Sequence, residues 1–298
     1  MRYGVTLPNF GPYADARVLA SLAREAEGAG WDGFFLWDHV LLFPWPTVDP
    51  WIAMAAIALA TERVRIGALV TPVPRRRPVK LAREIVTLDH LSRGRLVLGV
   101  GIGAGPWEWD YLGEETDLRT RGDMLDEALE LLEKLWTGEP VVHHGRFYHH
   151  RGDGGPQDTA ERPVPFLPKP LQQPRVPTWV AGVWPNKRPF RRAARYDGLV
   201  PLKKGFELGE AMTPDDLREM VAYTTAHRTG DGPFEVTAGG HTDGTDRARD
   251  ADHAAAYAEA GATWWLEDVS PWPYGWRWQG DWPVEAMNDR IRRGPPRP

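Results

Sequence analysis

Nine histidines, forty-one carboxylates and no cysteine bound the chemistry that this 298-residue chain can carry. Without thiols there is no disulfide, thiolate metal site, iron–sulfur cluster or cysteine nucleophile, so redox work would fall to a bound cofactor. His39 is the best-placed acid–base group, because it follows the apolar run Gly33–Trp37 directly and has Asp38 beside it to orient or charge the imidazole. The pairs His143–His144 and His149–His150 lack a helical spacing of three or four and lie in an irregular stretch, so no metal site is expected from them. Glu108, Asp110, Glu267 and Asp268 stand close to tryptophans in the sequence and leave open a two-carboxylate glycosidase site.

Cations and glycines mark a second kind of chemistry. Lys187 and Arg188, with Asn186 before them, precede a helix expected from Phe190, where charge and free helix N–H groups would combine as a phosphate seat. Arg75, Arg76 and Arg77 before Pro78 form another cationic group. Gly99, Gly101, Gly103 and Ala104 satisfy the loose G-x-G-x-x-A dinucleotide pattern, yet no helix is expected there, since Pro106 and a polar stretch intervene before Arg121. Bare glycine backbone at that point instead lets a planar ligand come close.

Fifteen tryptophans are the strongest departure from ordinary composition. Ten of them, Trp37, Trp45, Trp51, Trp107, Trp109, Trp184, Trp272, Trp276, Trp278 and Trp282, fall at or beyond the ends of expected strands. Large rigid rings bury much area at low entropic cost, so a mouth lined by them suits a flat conjugated cofactor or an apolar substrate. Trp37, Trp45, Trp107, Trp109, Trp272, Trp276 and Trp278 are the expected substrate pocket, and Trp272, Trp276, Trp278 and Trp282 are assigned to enclosure of the substrate.

The elements that must position these groups alternate almost from end to end. Strands are expected at Tyr3–Leu7, Gly33–Trp37, Val64–Thr71, Arg95–Val100, Thr178–Val183, Gly198–Leu202, Phe234–Ala238 and Thr263–Glu267. Helical periodicity fills the gaps, with Asp15, Asp49 and Thr213 as N-caps and glycines as stops. Eight such pairs match a single (β/α)8 barrel over residues 1–298 better than an open doubly wound sheet. Residues 139–176, with seven prolines, read as an insertion between strands 4 and 5, with a hairpin at Phe147–His150. In such barrels the active site lies at the C-terminal ends of the strands. A net charge of −5 argues against nucleic-acid or anionic-membrane partners. The longest apolar run, Trp51–Ala60, is half a membrane span, and no signal peptide is visible, so a cytoplasmic protein is expected.

Several of these segments together resemble the bacterial luciferase-like monooxygenase family, which includes FMN-dependent and F420-dependent oxidoreductases: Tyr3–Phe10, Trp37-Asp38-His39, Gly67 to Pro78, Thr87–Arg95 and Leu98–Gly101. The resemblance implies a TIM-like barrel with a flavin lying across its C-terminal mouth and His39 beside the reactive ring. Pro8, Asn9, Ala68, Leu69, Thr71, Gly101, Gly103, Gly182, Trp184, Asn186, Lys187 and Arg188 would then line the cofactor. It also places at Ala68–Leu69 the non-proline cis peptide of F420-binding relatives. Glycines and Ile102 stand where luciferase uses an Arg for the cofactor phosphate. Monooxygenation of a small apolar or aromatic substrate by reduced FMN, delivered by a separate flavin reductase, is the leading expectation, and F420-dependent hydride transfer is the alternative. A non-catalytic flavin-binding protein and a carbohydrate-active barrel are remoter. The resemblance also implies a homodimer formed through the outer helices.

Overall fold

The structure, a computed structural model, describes residues 1–103, 105–152, 161–206 and 211–297. The barrel strands are β1 (Arg2–Leu7), β2 (Gly33–Leu36), β3 (Arg65–Ala68), β4 (Thr71–Pro72) and β5 (Leu98–Gly101), followed after the insertion by β10 (Thr178–Trp184), β11 (Gly198–Lys203), β12 (Glu235–Gly240) and β13 (Trp264–Asp268). They form one sheet of nine strands in the order β3-β2-β1-β13-β12-β11-β10-β5-β4, with every pairing parallel. A bridge between Ile66 and Leu96 brings β3 back to the chain entering β5, so the sheet is a nearly closed barrel. The eight expected strands are present. The third is divided, its last residues forming β4.

Helices cover the outside because their apolar faces have the spacing to meet the strands. They are α1 (Ala16–Gly28), α2 (Pro50–Ala60), α3 (Pro78–Leu91), α4 (Pro106–Asp110), α5 (Leu118–Trp136), α6 (Lys187–Ala193), α7 (Pro214–Thr225), α8 (Arg247–Glu259) and α9 (Val284–Arg292). Asp15 and Asp49 accept the N–H of Arg17 and Ile52 as caps, and Thr213 forms a reciprocal capping box with Asp216. α5 and α8 begin directly after Asp117 and Asp246, whose side chains cap them. α4 corrects the expectation that no helix starts near Pro106: it does, for five residues. Within the insertion, β6 (Pro140–Val141) pairs with β9 (Val164–Pro165), and β7 (His143–His144) with β8 (His149–His150), so the hairpin is longer than expected. Of the Gly-Asp-Gly-Gly turn, all but Gly152 lies outside the described residues. No described helix is long and apolar enough to cross a membrane.

Strand alternation decides which side chains meet inside the barrel. Phe35, Trp179 and Trp264 do so, with ring centroids 5.5 to 5.8 Å apart, joined by Val97 and Leu266. Three large rings fit only because their neighbours are small. A Cβ on Gly33 would sit 2.5 Å from the Phe35 ring, and one on Gly198 2.5 Å from Trp179. Continuing the same alternation toward the C-terminal ends puts Thr6, Trp37, Leu69, Gly101 and Asp268 on the floor of the mouth. The non-proline cis peptide lies at Leu69–Val70, one bond beyond the Ala68–Leu69 position. Leu69 N–H still bonds Leu36 O at 2.8 Å, which keeps the Ala68–Leu69 peptide in the ladder with β2.

Candidate active site

His39 is held by its backbone before its ring does anything. The Asn9 side chain, wholly buried, donates to His39 O (2.8 Å) and Val48 O (2.7 Å) and accepts from His39 N–H (3.1 Å). This ties the turn after β2 to the turn after β1. The imidazole stands edge-on to Phe10, centroids 5.6 Å apart, and to Trp37 at 6.1 Å.

The acid that serves His39 is Glu108, not Asp38. Glu108 Oε2 lies 3.3 Å from His39 Nδ1, while Oε1 accepts from Arg75 Nη1 (2.9 Å) and Val40 N–H (3.1 Å). Burial alone would raise this carboxyl, but the bonds from His39, Val40 and Arg75 outweigh it and hold Glu108 at about 2. Asp38 faces the other way because it alternates with Trp37 and His39. Its Oδ1 accepts from Arg76 Nη2 at 2.7 Å, and burial pushes the carboxyl up despite that partner. Sequence adjacency pointed to Asp38. Glu108 is 69 residues from His39, and only α4, on the loop after β5, carries it there.

Trp109, expected in the substrate pocket, is instead filling. Its indole lies between the guanidiniums of Arg75 (4.3 Å) and Arg121 (4.2 Å) and is 1% exposed. Gly103, with φ of 80°, makes the room, since a Cβ there would come within 2.3 Å of the ring. The Trp107 side chain lies outside what is described.

The phosphate seat expected at 186–188 is not assembled as such. α6 begins at Lys187 rather than near Phe190, and Arg188 is committed to Asp123 (2.5 Å) and Asp126 (2.7 Å) of α5. Lys187 Nζ sits over the rings of Trp184 (3.2 Å) and Tyr223 (4.4 Å). Gly182 faces Pro189 and Phe190, and Trp184 packs on Phe190, so both lie on the outer face of β10 rather than in the mouth. Ala68 likewise belongs to the outer packing layer. Arg75 and Arg76 are spent on Glu108, Glu114 and Asp38. Glu267, half of a glycosidase pair on paper, is fully buried and bonded to Arg290, Thr242 and Trp265.

The late tryptophans do gather on the mouth side. Trp272 stacks on Trp37 (5.7 Å, 23°), and Phe10 touches Trp37, Trp45, Trp272 and Trp282. Trp276 and Trp282 are largely buried against this pair, whereas Trp278 is 54% exposed. The Thr71 hydroxyl lies against the Asp38 carboxyl, and Arg76 Nε beside them is buried without a hydrogen-bond partner among the described residues. With Leu69, Gly101 and Trp37 on the floor, this group of polar side chains at the strand ends suits a flat polar ring, so the residues present fit such a cofactor. Among the described residues no three His or carboxylate side chains converge to hold a metal. A groove of about 620 Å³ between α5, the β7–β8 hairpin and α6 lies on the outer wall and is not this site.

Comparison with known proteins adds the following. Residues 1–289 match the family model described as luciferase-like monooxygenase. The oxygenase component of the flavin-dependent trigonelline monooxygenase of Acinetobacter baylyi is 30% identical over 172 residues, which is 58% of this chain and 44% of that protein. The F420-dependent glucose-6-phosphate dehydrogenase of Amycolatopsis mediterranei is 35% identical over 170 residues, 55% of this chain and 49% of that one. The chain spans about half the length of the curated relatives it matches. An F420-dependent secondary alcohol dehydrogenase, solved with an F420–acetone adduct, superposes with a TM-score of 0.73 at 19% identity, covering 99% of this chain and 98% of that one. That last likeness is one of fold.

Proposed function

The chain belongs to the luciferase-like monooxygenase family, and from that premise we propose that it is an oxidoreductase whose flavin-type cofactor lies across the barrel mouth beside His39. The observation that carries the reading is the His39–Glu108–Arg75 chain at the strand ends. With Glu108 ionised, the Nδ1 proton of neutral His39 is directed at Oε2, which leaves Nε2 to accept a proton from a ligand. Arg75 and Val40 fix the carboxylate, so the ring is aimed before substrate arrives.

A pair built to take up one proton is what oxidation of a hydroxyl-bearing carbon needs: His39 would receive the hydroxyl proton, and the bound cofactor would accept the hydride from the carbon. F420, when bound, would supply this two-electron hydride chemistry without oxygen, and it is the cofactor favoured here over FMN. Identity of 35% to an F420-dependent dehydrogenase supports the same choice. The second reading is monooxygenation with reduced FMN supplied by a separate reductase; the Trp37–Trp272 wall, able to exclude water, favours it. Anaerobic titration with F420 and with FMN, followed by absorbance and tryptophan quenching, tests both. Saturable F420 binding, with bleaching of its absorbance in the presence of a secondary alcohol panel, is expected. Binding of neither cofactor overturns the proposal.

A further inference from the structure

One carboxyl on the mouth floor is left unused by the His39–Glu108 pair. Asp268 closes β13, where it is in register with Thr6 of β1, and Leu266 two residues earlier is in register with Gly4 and packs inside the barrel. The strand period therefore turns Asp268 inward as well, and sends its neighbour Glu267 outward to Arg290. Ser270 supplies the hydrogen bonds shown to the Asp268 carboxyl: its N–H reaches Oδ1 at 3.0 Å, and its wholly buried hydroxyl lies against the same carboxyl. Thr6 Oγ1, next in register, accepts from Trp37 Nε1, and Trp272 stacks on that indole. Asp268 and His39 follow strands separated only by β1, so about 10 Å lies between them, two inter-strand spacings.

We infer that Asp268, held in place by Ser270, is a specificity-determining residue that receives a hydrogen-bond donor of the substrate, an amino or hydroxyl group at the end remote from the reacting carbon. The apolar body between the two ends would lie along Trp37 and Trp272. An inward carboxylate whose donors all come from the neighbouring Ser270 keeps lone pairs free on its mouth side, and a charge-assisted bond from a ligand is the strong way to fill them. Burial, aided by Glu267, pushes Asp268 up to about 6 against the hydrogen bonds from Ser270. The other titratable groups around it are His241, raised by Glu267 against burial, Tyr274, whose ring lies 4.8 Å from that imidazole, and Arg290 and Arg293. This inference rests on the proposed function for the position of the reacting carbon, and it is tested without the cofactor.

Phenethylamine, 2-phenylethanol and the methyl ether of 2-phenylethanol share one aromatic body, and the ether has no donor. Titrated into the cofactor-free protein and read by tryptophan quenching, the amine and alcohol should bind about tenfold more tightly than the ether. Asp268→Asn should remove most of that preference and leave the ether within twofold. Ser270→Ala, which takes from the carboxyl a donor on its own loop, should leave the preference for the amine and alcohol in place. Amine affinity should fall as pH drops from 8 to 5 in the wild type; any slope that persists in Asp268→Asn belongs to His241. Equal binding of all three probes, or an unchanged preference in Asp268→Asn of native thermal stability, overturns the inference. A variant that keeps the donor preference but loses affinity for F420 or FMN overturns it too, by assigning Asp268 to the cofactor. If neither cofactor binds while the donor preference and its loss in Asp268→Asn persist, the flavin reading falls and this one stands.

Discussion

His39 and Glu108 make the sharpest claim at the scale of single residues, because one can be altered without reshaping the other. Glu108→Gln keeps the shape and removes the charge that orients the imidazole. Activity should fall ~100-fold, and His39→Ala should lose as much or more, within the range of general acid–base groups. The double variant should be little worse than either single one if the two act as a unit, which kcat/KM for the four proteins would show. Glu108 also ties stability to pH. Its carboxyl is lowered from 4.5 to about 2 in the folded state, so its contribution, at most about 3 kcal/mol, is present above pH ~4.5 and disappears as pH falls toward 2. Urea denaturation at pH 6 and pH 3 should show a larger loss in the wild type than in Glu108→Gln; equal losses would refute the assignment. His39 itself was legible in the sequence because it follows a buried strand directly. Its partner was not, since a contact 69 residues away is made by the fold and leaves no local signal.

The element that delivers Glu108 is the five-residue α4, and what steadies α4 is the Arg75–Trp109–Arg121 stack under Gly103. Gly103→Ala would ask an L side chain to adopt a φ of 80° and to displace the indole at the same time. It should cost ~1–3 kcal/mol and lower kcat more than it raises KM, because Glu108 moves with its neighbour. Thermal melts and steady-state kinetics on the one variant check both halves. Long helices with acidic caps were readable in advance: Asp15, Asp49 and Thr213 start helices where expected. Short elements were not. Five residues cannot display a helical period, and Val64–Thr71 gave no hint that it divides into β3 and β4. Arg188 misled for a related reason, since the sequence shows its charge but not the two aspartates on α5 that consume it.

At the scale of the whole molecule, the barrel was legible from the alternation of elements alone, but α2 has a property that the barrel does not absorb. Its eleven residues, Pro-Trp-Ile-Ala-Met-Ala-Ala-Ile-Ala-Leu-Ala, contain no charged or hydrogen-bonding side chain apart from the indole of Trp51. A helix that is apolar all round belongs in an interior. One face does meet the strands through Ala53, Met54, Ile57 and Ala58, yet the opposite stripe of Ile52, Ala55, Ala56 and Leu59 faces out, with Ile52 67% and Leu59 73% exposed. Small residues between two large ones let a second helix approach closely, and a stripe that is its own complement suits an isologous contact about a two-fold axis. A second copy of the chain is therefore the expected occupant, in line with the homodimer that the family resemblance implies. Light scattering on the eluting protein at micromolar concentration should give twice the 33.5 kDa chain mass. Ile52→Glu combined with Leu59→Glu should give the single mass with an unchanged circular dichroism spectrum, since neither side chain contributes to the protomer core. A monomeric wild type, or a double variant that stays dimeric, would place the contact elsewhere or remove it.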